Sequence, residues 1–155
     1  MSEKGSKNNG VISNKKAAAG EASVLRQYQA QGRQTSYIAT FDREVSPQEV
    51  IGPVVIESYA VTYQSTSGAA RGFAQESKEL GSSGWEQVST GTLGEQATAF
   101  SETKEVDQTE YQSFVLDWRQ ANVLNEIRIA GNAATLDLTY ALTLARVQQR
   151  GETKS

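Results

Sequence analysis

The chain has 155 residues, a formal charge of −3, 37% hydrophobic and 21% charged residues, and a mean hydropathy of −0.51. That balance fits one ordinary globular domain, too apolar for a disordered chain and too polar for a membrane protein. Histidine and cysteine are both absent, which excludes zinc fingers, iron–sulfur clusters, haem ligation through either side chain, thiol nucleophiles and triads built on imidazole.

The charge is uneven. Residues 1–16 carry four lysines against Glu3, a net +3, whereas residues 17–155 carry eleven basic and seventeen acidic residues, a net −6. An acidic body without a basic stripe repels polyphosphate, so no nucleic-acid partner is expected. The lysines at the start are spread among Gly5, Ser6, Asn8, Asn9 and Gly10, which reads as a disordered basic leader over 1–16. No run approaches the roughly 18 apolar residues of a transmembrane helix, and the first twenty residues lack the apolar centre of a signal peptide. The same leader is what trimming an upstream signal or lipid-anchor segment would leave. An extracytoplasmic and a cytoplasmic setting both stay open, and the absence of cysteine does not separate them.

From residue 17 to 31 the helix formers of AAAGEASVLRQYQAQ set Ala18, Ala22, Leu25 and Tyr28 near one face, which predicts a helix weakened at Gly20 and stopped by Gly32. The segment TSYIATFDR from Thr35 alternates and predicts a strand with one well-covered face, Tyr37, Ala39 and Phe41 forming its apolar side. Pro47 and Pro53 bracket a loop. After it, VVIESYAVTY from Val54 is β-branched and aromatic on both parities, as in a central strand covered on both faces. A second helix is predicted in SGAARGFAQESKELG, with Ser67 as N-cap, Ala70, Phe73, Ala74 and Leu80 at helical spacing, and Gly81 at its end.

A turn at 82–84 leads to Trp85, which opens a short strand, WEQVS. TAFSE from Thr98 and EYQSFVLDW from Glu110 predict strands separated by the polar stretch 103–109, and RQAN at 119–122 is a short reversal into VLNEIRIAG. Sequential strands with short links pair antiparallel. Thr135 is placed to cap TLDLTYALTLARVQQR, where Asp137 suits the positive end of the helix dipole and Arg146 and Arg150 the negative end. The predicted order is helix, two strands, helix, four strands, helix, without internal repeats. It defines an α+β class, a mainly antiparallel sheet flanked by helices, in a single domain over 17–150 with a frayed end at 151–155.

Several landmarks stand in a row: Gly32 with Tyr37 and Phe41, the strand ending in Tyr63, the alanine-rich helix with Phe73, LGEQATAF from Leu93, FVLDWRQANVL from Phe114, and ALTLARVQQR from Ala141. Across 21–150 the chain resembles a widespread group of bacterial extracytoplasmic, lipoprotein-type domains. They share a leucine-glycine-acidic-x-alanine turn, an arginine-x-x-asparagine reversal and a closing helix containing leucine-alanine-arginine. The resemblance implies a layout similar to the PsbP and Mog1 type of α/β/α sandwich. It carries over no catalytic residue, and the lipobox cysteine of the group has no counterpart here.

Each remaining constellation has a structural reading. The glycines of GSSGWEQVSTGTLGEQA from Gly81 fall at strand ends, with neither a GK[ST] ending nor a GxGxxG pattern, and read as turns. Glu102, Glu105, Asp107 and Glu110 surround Lys104 without the glycine of a calcium loop, and read as a solvated strand connection and not as a metal site or a glycosidase pair. No SxxK motif stands in a helix with a partner. Tyr59, Tyr63, Tyr111 and Trp118, with Trp85 at the rim, are the candidate binding residues, because rigid aromatics with a polar tip suit an open face of a sheet; the alternative is that they fill the core.

The resemblance and the lack of catalytic side chains imply a non-catalytic extracytoplasmic binding or accessory domain, for a protein partner or a small ligand, with no metal and no cofactor. An intracellular adaptor or assembly factor of the Mog1 kind is the alternative, and a histidine-free hydrolase is the third reading.

Overall fold

The computed structural model describes residues 9–43 and 52–152. Among them is one seven-stranded sheet, built from β1 (Gly10–Ser13), β2 (Arg33–Asp42), β3 (Pro53–Tyr63), β4 (Glu86–Val88), β5 (Gln96–Val106), β6 (Thr109–Gln120) and β7 (Val123–Asn132). The spatial order is β1-β2-β3-β7-β6-β5-β4, and each neighbouring pair is antiparallel. The helices are α1 (Asn14–Ala17), α2 (Ala22–Gln31), α3 (Thr66–Ser82) and α4 (Leu138–Glu152). The α+β class and the antiparallel sheet are as the sequence predicts. No helix among the described residues is long and apolar enough to cross a membrane.

The ladder registers sort side chains onto two faces. Ala60, Asn125, Trp118 and Ala97 form one cross-strand row. It belongs to the face under α4, where Leu116, Phe114, Ile127 and Ile129 pack against Ala141 and Ala145. The adjacent row, Ile38, Tyr59, Glu126, Asp117 and Thr98, points the other way. On that second face Val61, Tyr63 and Leu124 pack against Ala69 of α3, with Phe73 partly buried beside them. Helices on both faces cover the middle of β6 and β7, where 114–119 and 124–127 are buried on both parities.

Several expectations are corrected. The basic leader over 1–16 is not wholly without structure: residues 1–8 lie outside the described residues, but Gly10–Ser13 pairs with β2 and buries Ile12. Its strand signal is short, and most of its ordering comes from the edge it joins. Of the helix expected over 17–31 only Ala22–Gln31 is helix, as α2, since Ala17 ends α1 and Ala19 and Gly20 take positive φ of 49° and 86°; Gly32 does end α2, in the left-handed region at φ 72°. The cap of α3 is Ser65, whose Oγ accepts from the N–H of Gly68 at 3.0 Å, and not Ser67; α3 also runs past Gly81 to Ser82.

The cap of α4 is Asp137, which accepts from the N–H of Tyr140 at 2.9 Å. Thr135 instead accepts from the N–H of Gly52 at 3.1 Å. The stretch 103–109 is not a separate connection, since β5 and β6 run on to a turn at Asp107 and Gln108, both at positive φ. On β2 the buried parity is that of Ser36, while Tyr37 stands 53% exposed. The reason is tertiary: the helix contacts of β2 are with α1 and α2, on the Ser36 side, whereas α4 lies over β6 and β7. The loop expected around Pro47 falls outside the described residues, as do residues 153–155, while α4 carries helix to Glu152 into the segment expected to fray.

Candidate functional site

Between the second face of the sheet and the helices α1, α2 and α3 lies a cavity of about 430 Å³. Its floor comes from Ser36 and Ile38 of β2, Tyr59 and Val61 of β3, and Leu124, Glu126 and Arg128 of β7. Lys16, Tyr28 and Glu76 come from the helices, and Ile12 of β1 closes the sheet edge. The floor is apolar toward Val61 and Leu124 and charged toward Glu126.

The charged end follows from the two-residue reversal at 121–122. Pairing Gln120 with Val123 sets Asp117 directly opposite Glu126, and like charges directly opposite on a sheet repel. Glu76 of α3 comes down on the same place, so that one carboxylate oxygen from each of Glu76, Asp117 and Glu126 lies within 4.8 Å of the others. The Asp117 side chain is fully buried, and neither of its oxygens meets a donor among the described residues. Burial first, and then the charges of Glu126 and Glu76, hold the Asp117 carboxyl well above the usual carboxylate range. Burial and the charge of Glu126 push Glu76 up to about 7.

Among the described residues Glu126 has one cationic partner. Arg128 donates to it through both Nε and Nη2, the second bond at 3.2 Å, and its guanidinium stands 5.7 Å from the ring centre of Tyr59. The Tyr59 hydroxyl donates to Glu57 at 3.2 Å, and burial together with the Glu57 charge pushes it up to about 12. At the helical side, Arg33 stacks 4.0 Å over the ring of Tyr28, and its buried Nη1 has no acceptor among the described residues. The cavity therefore pairs an acidic inner end with a guanidinium whose donor capacity is not used up.

Of the aromatic residues singled out from sequence, Tyr59 alone lines this cavity. Tyr63 is buried in the core under α3, where its ring faces Gly72. Trp118 is fully buried on the opposite face, under α4. Tyr111 lies seven positions from Trp118 on the same strand, roughly 23 Å away at strand rise. Trp85 is partly buried just before β4, at the far edge of the sheet. The structure does not bring the five together, and two of them are core.

The residues that sequence reasoning passed over are Glu76, Asp117, Glu126, Arg128 and Arg33. A signal existed for two of them. Asp117 interrupts FVLDW and Glu126 interrupts VLNEIRIAG, each a carboxylate inside an apolar run, and a two-residue reversal between those strands makes them face each other. Glu76 had no such signal, because on α3 it lies among other polar helix residues. No family model, curated protein or solved structure matches the chain.

Proposed function

We propose that the protein is a non-catalytic binding domain, whose ligand is a small polar molecule taken into the cavity between β2, β3, β7 and the α1–α2–α3 side. The observation that carries this reading is the cavity itself: about 430 Å³, within the usual range for small-ligand sites, with an apolar floor and a few convergent polar groups. Arg33 offers a buried N–H to an anionic group, and the acidic end suits a cationic one. The motif resemblance described above supports an extracytoplasmic setting and a layout of the PsbP and Mog1 kind; both are part of the proposal.

The test is thermal denaturation of the full chain in the presence of a panel of amino acids, polyamines, nucleosides and short sugars, in EDTA. At least one class is expected to raise Tm, with the shift lost in Tyr59→Ala and Arg33→Ala. A panel without effect on the folded wild type overturns the reading. One observation favours a second reading, the histidine-free hydrolase: a carboxyl held near 7, as Glu76 is, suits a general acid. Turnover of ester, phosphate or glycoside substrates that disappears in Glu76→Gln would select it.

A further inference from the structure

The geometry points to a divalent-cation site at the inner end of the cavity, built from Glu76, Asp117 and Glu126, for a hard, oxygen-preferring ion of calcium size. The inference deepens the binding reading, since the ion would sit at the end of the same cavity. Clusters of acidic residues are common on protein surfaces and mean little alone. This one is distinguished by Asp117, which is fully buried, has no hydrogen-bond donor for either oxygen among the described residues, sets one of them within 4.8 Å of oxygens of Glu76 and Glu126, and is held there by the β6–β7 register.

A buried carboxylate without a donor is costly, by several kcal/mol as a general rule, unless it is protonated or bound to a cation. The protein cation closest to hand, Arg128, already spends two N–H groups on Glu126, and among the described residues it donates none to Asp117. The three oxygens lie within 4.8 Å of one another, close enough for one hard cation to gather them, and calcium tolerates irregular oxygen sets where magnesium demands near-ideal octahedral geometry. An all-oxygen donor set also disfavours the softer transition metals. Carboxyls ligate a cation in their deprotonated form, so binding of the ion releases whatever protons the cluster holds.

The experiment is calorimetric titration of the full chain, stripped with EDTA and dialysed, with Ca²⁺, Mg²⁺ and Mn²⁺ at pH 7 in two buffers of different ionisation enthalpy. The expected result is one calcium per chain with proton release, weakened on the order of 100-fold in both Asp117→Asn and Glu76→Gln, and unchanged in Glu105→Gln on the exposed β5–β6 hairpin. Circular dichroism establishes that each variant is folded; should Asp117→Asn fail to fold, Glu76→Gln on the helix decides. Three results overturn the site: no binding up to roughly 10 mM, beyond the about 1 mM of weak calcium modules; binding that persists in both cluster variants; or stabilisation by propylammonium with none by Ca²⁺. Calcium binding with no response to the organic panel, in EDTA or in calcium, removes the small-ligand reading and leaves the cation site standing.

Discussion

Asp117 and Glu126 are a like-charged pair at a directly opposed position on two central strands, and Glu76 adds a third carboxyl from the helix above. The consequence for stability has a definite sign. The Glu76 carboxyl is pushed from 4.5 to about 7 in the folded protein, so the folded state binds the proton more tightly than the unfolded chain does. Its contribution is complete below the unfolded value and is lost as pH rises through the folded one. Asp117 acts in the same direction, while Arg33 and Arg128 oppose the shift of Glu76 and Glu79 adds to it. In EDTA, the wild type is expected to lose stability between pH 5 and 8 relative to Glu76→Gln, as read from urea midpoints of the two proteins. Parallel curves would show that Glu76 titrates normally.

A second residue-scale effect is steric. A Cβ on Gly72 would overlap the Tyr63 hydroxyl and come within 2.7 Å of its Cζ, and the Tyr63 ring is locked in the core under α3. Gly72→Ala is expected to cost about 1–3 kcal/mol, as overpacking does, even though alanine favours the helix. Adding Tyr63→Phe, which removes the colliding oxygen, should recover part of the loss, with the coupling read from a double-mutant cycle.

At the scale of elements, the chain edges and turns carry the surprises. The N-terminal strand β1 is four residues long and could not stand alone, yet it completes the sheet edge and supplies Ile12, a buried side chain that also lines the cavity. Ser36 donates from its Oγ to the Ile12 carbonyl at 3.2 Å, and Asn14 donates to the Arg33 carbonyl at 2.6 Å. Removing residues 1–16 is therefore expected to lower stability by about 2 kcal/mol, from the burial of Ile12 and its neighbours, or roughly 4–8 °C in Tm. An unchanged melting curve would show that β1 adds nothing. The polar stretch at 103–106 behaves conversely: it looks like loop and is strand, because the hairpin ladder pairs it with 109–112 and no core is required for that pairing.

At the scale of the whole molecule, one sheet separates two cores. Ile129 packs under α4 and Leu124 under α3, on opposite faces of β7. Ile129→Val is expected to cost about 0.5–1.5 kcal/mol and Leu124→Ala about 2–5. Their effects should add to within about 0.5 kcal/mol, since the side chains share no partner. A larger coupling energy in urea denaturation would show that the faces communicate through the sheet.

The sequence by itself determined the α+β class, the existence of a helix across 67–81, and the β6–β7 hairpin, because periodicity, turn residues and strand propensity are local properties that survive without knowledge of the partner. With the reversal at 121–122 known, it also contained the Asp117–Glu126 pairing. The tertiary structure alone decided which parity of β2 is covered, since that depends on where α1, α2 and α4 come to rest. It decided that Tyr63 and Trp118 are core on opposite faces while Tyr59 lines a cavity, because residues of one chemical type are sorted by what packs above them. It also brought Glu76 to Asp117, a contact across forty-one positions of chain that arises from the way α3 crosses the sheet, which no local pattern encodes.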